Sequence, residues 1–266
     1  MTIPHDYHLH TRFSEDGANT PEEMCRRAVE LGLPEIGFSE HWDVGPHEKH
    51  PRFFQPEPWF EEIERLRGLF AGQLTVRAGI EIAEPHLYPA ETAEVLGRAP
   101  FDYVLGSVHF VGPNFMFDES HFRKHTADEI YGAYFAEVEA MLRGADLDAV
   151  AHFDVAARIG KPILGYDPAR YEGQIRRVLE IVIQRGLALE VNAGGLRKPA
   201  RVLMPDPLII KWYAGMGGQR VTLGSDAHRV GDLGTGLEAA LAAIQEAGIS
   251  QVLRFERRQA RLVTLP

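Results

Sequence analysis

The chain has 266 residues, 45% of them apolar, and a formal net charge of −10. That length can bury one large core, the acidity argues against a broad nucleic-acid surface, and a single cysteine, Cys25, excludes a disulfide framework or a cysteine-rich zinc site. No basic-then-apolar leader, membrane-length apolar run, linker or internal repeat interrupts it, so a single cytoplasmic domain over residues 1–266 is expected.

The stretch D-Y-H-L-H reads as the first strand, and alternation of side chains puts His8 and His10 on one face, able to hold a common metal ion with Asp16 close behind. T-P-E-E, Thr20 to Glu23, is a capping box opening a helix that ends at Gly32, with Cys25 as a half-buried packing residue. P-E-I-G-F-S-E-H gives a short buried strand through Phe38 that ends in Ser39, Glu40 and His41, and a polar loop follows from Asp43 to Pro58. The next helix, apolar at Phe60, Ile63, Leu66 and Phe70, leads into L-T-V-R-A-G-I-E-I, a strand finishing at Glu81.

A short helix after Pro89 precedes the strand F-D-Y-V-L-G-S-V-H-F, which carries His109, and a long loop rich in Phe, His and Gly. A second capping box, Thr126 to Glu129, starts a long helix, and D-A-V-A-H-F-D then presents His152 and Asp154 on a strand. Asp167-Pro168 opens a helix ended by Gly186; L-A-L-E-V-N-A-G-G is a strand with Asn192 near its end. A helix from Pro207 to Gly215, the strand R-V-T-L-G-S-D-A-H with Asp226 and His228, and a last helix capped by Gly248 complete seven strand-then-helix units, before a tail with a short strand pair around Phe255 and Val263.

Such alternation implies a parallel sheet, and seven units in this length fit a closed or nearly closed barrel related to the eight-unit one. Neither G-x-G-x-x-G nor G-x-x-x-x-G-K-[ST] is present, as an open doubly wound sheet binding nucleotides would favour. His8, His10, His41, Glu81, His109, His152, Asp226 and His228 all fall at carboxyl-terminal ends of these strands, which share one rim in a barrel. Any one of them alone reads equally as a cap or a hydrogen-bonded core residue. Together they suit a multinuclear site for Zn, Mn or Fe, with Glu81 as the bridging carboxylate. His5, His47, His50, His86, His121 and His125 read as solvated or capping, and Arg158 and Arg197 as either anion holders or surface ion pairs.

H-L-H-T-R-F-S-E-D-G, F-S-E-H, G-I-E-I, G-S-V-H-F, A-H-F-D, V-N-A-G-G-L-R and L-G-S-D-A-H together resemble the polymerase and histidinol phosphatase (PHP) family, and within it the histidinol-phosphate phosphatases. The resemblance runs from Asp6 to about Gly234 and implies a distorted (β/α)7, TIM-barrel-like fold with two to three divalent metal ions. It implies His8, His10, Glu81 and Asp226 on one metal, Glu81, His109 and His152 on a second, and Asp16, His41 and His228 on a third, with Arg158 and Arg197 at phosphate. Some relatives have histidine in place of Asp16, which alters the preference of that third site. The expected reaction is hydrolysis of a phosphate monoester by a metal-activated water, with Glu81, Asp226 and His228 as catalytic residues. The leaving-group acid stays open among Asp226, a histidine behind the ligands, and water. The implied substrate is the small L-histidinol phosphate of histidine biosynthesis, with no nucleic acid and no membrane as partner. Other sugar or nucleotide monoesters, or a non-catalytic metal-binding module, are the alternatives.

Overall fold

A computed structural model describes residues 2–265; Met1 and Pro266, included in the single-domain expectation, lie outside the described residues. Seven parallel strands form one sheet in the order β1 (Asp6–Leu9), β2 (Glu35–Trp42), β3 (Thr75–Ala83), β4 (Tyr103–Ser107), β5 (Ala149–Val150), β6 (Ala188–Asn192) and β7 (Val221–Gly224). Between β1 and the segment just past β7 the described residues form one parallel bridge, Leu9 to Ala227, with His10 N donating to Ala227 O at 2.9 Å and Ala227 N to His8 O at 3.3 Å. The sheet is therefore a nearly closed, TIM-like barrel with helices around it, as the strand-helix alternation predicts.

Helix starts follow the local chemistry of the chain. Thr20 and Thr126 each accept a hydrogen bond from the backbone of Glu23 and Glu129, whose carboxylates return to the threonine N–H, and these boxes open α1 (Pro21–Glu30) and, after α2 (Pro56–Leu69) and α3 (Pro89–Leu96), the long α4 (Ala127–Gly144). Several expectations change. The strand carrying His152 is only Ala149–Val150, because the chain turns at His152 itself, where φ is 23°. An unforeseen helix, α5 (Ala156–Leu164), follows at once and carries Arg158. The helix at Asp167-Pro168 begins as a 3₁₀ turn, Pro168–Tyr171, before α6 (Glu172–Gln184). α7 (Pro207–Gly215) and α8 (Leu237–Glu246) complete the outer layer, where Cys25 is wholly rather than half buried.

The tail forms the expected hairpin, β8 (Gln251–Glu256) with β9 (Gln259–Thr264), and it closes the amino-terminal mouth of the barrel. Phe255 packs on the rings of Tyr7 and Tyr103, at 6.2 and 5.9 Å between centroids, and Glu35 in the same floor receives the Tyr7 hydroxyl, Arg77 at 2.8 Å and Arg254 at 3.4 Å. Tyr103 spans the barrel interior and donates to the carbonyl of Tyr7 at 2.7 Å. Its ring fits because β2 and β3 carry glycine there: a Cβ at Gly79 would stand 2.1 Å from Tyr103 Cζ, and one at Gly37 2.3 Å from its hydroxyl. Gly79→Ala should therefore destabilise the fold by roughly 1–3 kcal/mol through overpacking. Urea denaturation tests this, and a second substitution, Tyr103→Leu, should recover part of the loss.

His5 corrects the expectation that it is solvated or capping. It is fully buried on the floor, stacked on Tyr7 at 4.1 Å, with Nε2 3.0 Å from Thr222 Oγ1 and accepting from Leu223 N at 3.3 Å. Burial first, and then the charge of Arg254, lower its pKa to about 3. The fold holds His5 neutral, so below the unfolded value of about 6.5 only the unfolded chain takes the proton. Stability is thus fully present above about 6.5 and lost as pH falls toward 3, by about 1.4 kcal/mol per pH unit. Denaturation midpoints of the wild type and His5→Asn between pH 8 and pH 4 should differ in slope by this amount, whatever the buried carboxylates contribute to both.

Candidate metal centre

Each barrel strand delivers its polar residues to the carboxyl-terminal rim, and at the centre of that rim lies Glu81, fully buried at the end of β3. Its Oε2 is 3.1 Å from His8 Nε2, 3.1 Å from His41 Nδ1 and 3.5 Å from His10 Nε2; its Oε1 is 2.7 Å from His152 Nε2 and 3.4 Å from His109 Nε2. The carboxylate thus has one oxygen on each of two groups of imidazoles. Asp226, at φ 55°, places Oδ1 3.9 Å from His8 Nε2, 3.7 Å from His10 Nε2 and 3.5 Å from His228 Nδ1. Asp16 joins from outside, with Oδ2 3.0 Å from His228 Nε2 and Oδ1 3.7 Å from His41 Nε2.

Four triads have ligand atoms within 4.8 Å of one another: His8, His10 and Asp226; His8, Glu81 and His152; His41, Glu81 and His109; and His10, His41 and His228. These groupings share members and form one continuous cluster, which joins the three sets of the family resemblance through His10 and His41 as well as through the shared Glu81. The donor chemistry fits divalent ions of the Zn, Mn or Fe type: imidazole nitrogens and carboxylate oxygens, with Cys25 away in α1. His10 Nε2 and His41 Nδ1 are also buried without a hydrogen bond, although both face Glu81 Oε2. Buried ring nitrogens of this kind, crowded onto one carboxylate oxygen, are costly unless something binds them.

The electrostatics agree. Burial alone would raise the Glu81 carboxyl, but the charges of His8, His41 and His152 and the hydrogen bond with His109 outweigh it and hold Glu81 well below the usual carboxylate range. At His41 burial is outweighed by Glu81, Asp43 and Asp16, and the pKa rises to about 9, whereas burial and the neighbouring imidazoles push His10 well down. One anionic group is serving several imidazoles, and further positive charge centred among them in place of protons resolves the conflict.

Behind the rim a set of carboxylates fixes these rings, and the sequence reading did not assign them. Glu190 on β6 accepts from His8 Nδ1 at 2.6 Å, from the His152 backbone at 2.7 Å and from Asn192 at 3.2 Å. Gly224 makes room, since a Cβ there would be 2.2 Å from Glu190 Oε1. Glu40 holds Thr11 and Ser14, Ser14 Oγ lies 3.3 Å from His10 Nδ1, and Glu84 accepts from the backbone of His109 and Phe110. Asp43 stands 3.7 Å from His109 Nδ1. The available signal was charge inside apolar strands: alternation in L-E-V-N puts Glu190 and Asn192 on one face, turned into the barrel. A proton held on His8 Nδ1 by Glu190 leaves Nε2 free to ligate. Glu190→Gln should accordingly lower metal affinity or turnover by roughly 10–100-fold with the fold intact, measured by metal content and initial rates.

The site opens into a cleft of about 490 Å³ bordered by the 43–53 loop and by Phe110, Phe115 and Phe117. Arg158 lines it, 3.5 Å from Asp226 Oδ2 and over the Phe117 ring at 4.9 Å. Arg197 is not among the lining residues: it donates to the Asp226 carbonyl at 2.8 Å and lies 3.7 Å from Asp232, bracing the loop that carries Asp226. Of the histidines set aside, His47 and His50 border the cleft, while His86 is largely buried against Glu137 at 2.8 Å rather than solvated. Among the described residues, no helix is long and apolar enough to cross a membrane.

With this geometry in view, residues 6–194 match the model of the PHP domain, and the chain belongs to the PHP domain family. Its relatives make the kinship narrower. A protein of Deinococcus radiodurans named "probable histidinol-phosphatase" is 32% identical over 97% of this chain and 99% of its own length. The histidinol-phosphatase of Lactococcus lactis is 27% identical over 94% of this chain and 93% of its own. The crystal structure of the Lactococcus lactis histidinol phosphate phosphatase, complexed with zinc, L-histidinol and phosphate, superposes with a TM-score of 0.89 at 24% identity, covering 97% of this chain and 99% of that one. At that identity the superposition speaks for the fold.

Proposed function

We propose that this protein is a metal-dependent phosphate monoester hydrolase that converts L-histidinol phosphate and water to L-histidinol and phosphate. The observation that carries the chemistry is Glu81, whose two oxygens face two groups of imidazoles at the floor of a cleft lined by Arg158. The kinship with histidinol-phosphatases over nearly full length supports the substrate.

In this reading His8, His10, Asp16, His41, Glu81, His109, His152, Asp226 and His228 hold two or three divalent ions. When bound, such ions polarise phosphoryl oxygens, lower the pKa of a water and stabilise the charge of an in-line displacement. The chain's own groups do the rest. Arg158, free to donate from one guanidinium edge while its other face rests on Phe117, binds and orients the phosphate. Arg197 keeps the Asp226 carboxylate in place through the Asp226 carbonyl. Glu81 and Asp226 stay ionised, and Asp226 and His228, 3.5 Å apart, line the cleft wall beside the phosphate, whose departing alcohol takes its proton from water. The acidic chain and its acid-bordered cleft favour a small substrate over nucleic acid.

The test is phosphate release from L-histidinol phosphate beside a panel of sugar, nucleotide and serine phosphates, on protein whose metals are counted by elemental analysis. Strong preference for histidinol phosphate with two or three transition metals per chain is the expected result. Activity elsewhere in the panel discards the substrate and keeps the chemistry; bound metal with no hydrolysis in any reconstitution discards the enzyme.

A further inference from the structure

A continuous aromatic wall leads away from the phosphate-binding arginine. The Arg158 guanidinium lies 4.9 Å from the Phe117 ring, Phe117 lies 5.0 Å from Phe115, Phe115 lies 4.9 Å from Phe110, and Phe110 lies 6.1 Å from His47. The wall therefore ends on the loop that Arg52 N closes onto Asp43 O at 2.9 Å, and the residue after His47 is Glu48, a lining residue of the same cleft. Phe115 and Phe53, both lining the cleft, remain 40% and 48% exposed, so a flat apolar body could cover them.

Glu48 is half-buried, and its carboxylate has no hydrogen bond or ion pair among the described residues. The nearby cations are engaged elsewhere or stand apart: His50 is 3.1 Å from Glu15, Arg52 is 3.0 Å from Glu94, and Lys49 lines the cleft without pairing with Glu48. Burial first, and then the charge of Asp43, push the Glu48 pKa up to about 7 against the charges of His109 and His41, neither of which bonds to it.

We propose that Glu48 is the specificity-determining residue of the cleft, accepting hydrogen bonds from a cationic, nitrogen-bearing leaving group whose body lies along Phe110 and Phe115 while its phosphate is held at Arg158. This rests on the hydrolase reading above and adds to it the residue that recognises the alcohol. The two ends of the cleft thereby sort their ligand by charge: anion inward, cation outward.

The experiment uses metal-loaded protein, with equal metal content and melting temperature as entry conditions for Glu48→Gln, and Glu48→Ala as the second variant. L-Histidinol is titrated calorimetrically, and inorganic phosphate is measured as an inhibitor. Glu48→Gln should weaken L-histidinol roughly ten- to hundredfold, the scale of a hydrogen bond to a charged group, without a parallel loss for phosphate. The ratio of kcat/KM for phosphoethanolamine over glycerol 2-phosphate should fall by a similar factor, with the change in KM. Parallel weakening of every ligand, or no weakening of the cationic ones, overturns the proposal. Wild-type protein that ignores L-histidinol but prefers phosphoethanolamine, and loses that preference in Glu48→Gln, would refute the histidinol substrate and uphold the role of Glu48.

Discussion

Glu81→Ala is expected to abolish phosphate release, by at least roughly a thousandfold in kcat, because members of a unit that acts together are not replaceable one at a time. The side chain is fully buried and stands within 3.5 Å of His8, His10, His41, His109 and His152. Its loss would leave those rings without the one anion they share, so metal content should drop as well. The barrel should survive, since the strand pairing of β3 with β2 and β4 is carried by the backbone. Circular dichroism and elemental analysis alongside the rate assay separate these outcomes. Full activity in a metal-replete Glu81→Ala protein would sink the proposed scheme, and an unfolded variant is controlled by Glu81→Gln, which keeps the volume and removes the charge.

Removing metal should have the second large effect. Chelation followed by dialysis is expected to eliminate hydrolysis, with recovery on adding back Zn, Mn or Fe, and also to lower the melting temperature. The physical reason is that His10 Nε2 and His41 Nδ1 would return to being buried without partners, and protons cannot satisfy every imidazole around Glu81 at once. A ligand present at a thousand times its dissociation constant contributes about 4 kcal/mol to folding stability. Scanning calorimetry of the chelated and reconstituted protein measures it. An unchanged melting temperature together with unchanged activity would mean that the cluster holds no ion of consequence.

Much of this arrangement is legible in the chain. Strand ends that repeatedly stop on His, Glu or Asp are visible as short motifs, and the parallel barrel converts their scatter into one rim. The rest was hidden for identifiable reasons. Glu190 and Glu84 lie in or just after strands where a periodicity reading looks for apolar residues, and their value arises only from the imidazole or backbone N–H groups that meet them across the barrel. His5 reads as a solvated neighbour of the first strand because nothing local says that Tyr7 will stack on it or that Thr222 and Leu223 will meet its ring. The helix that carries Arg158 was missed because β5 is two residues long and offers no period to mark where it stops. Arg197 is placed at phosphate by the resemblance alone, and its bond to the Asp226 carbonyl is a contact that spacing does not encode.

The bridge between the first and last barrel strands bears on the order of events during folding. His8 stands on the first strand of the barrel and His10 directly after it, yet the Glu190 that orients His8 follows 182 positions later, and the Ala227 carbonyl that anchors His10 N follows later still. Contacts this distant form slowly and late. These two imidazoles are therefore oriented only once the last strands of the barrel are in place.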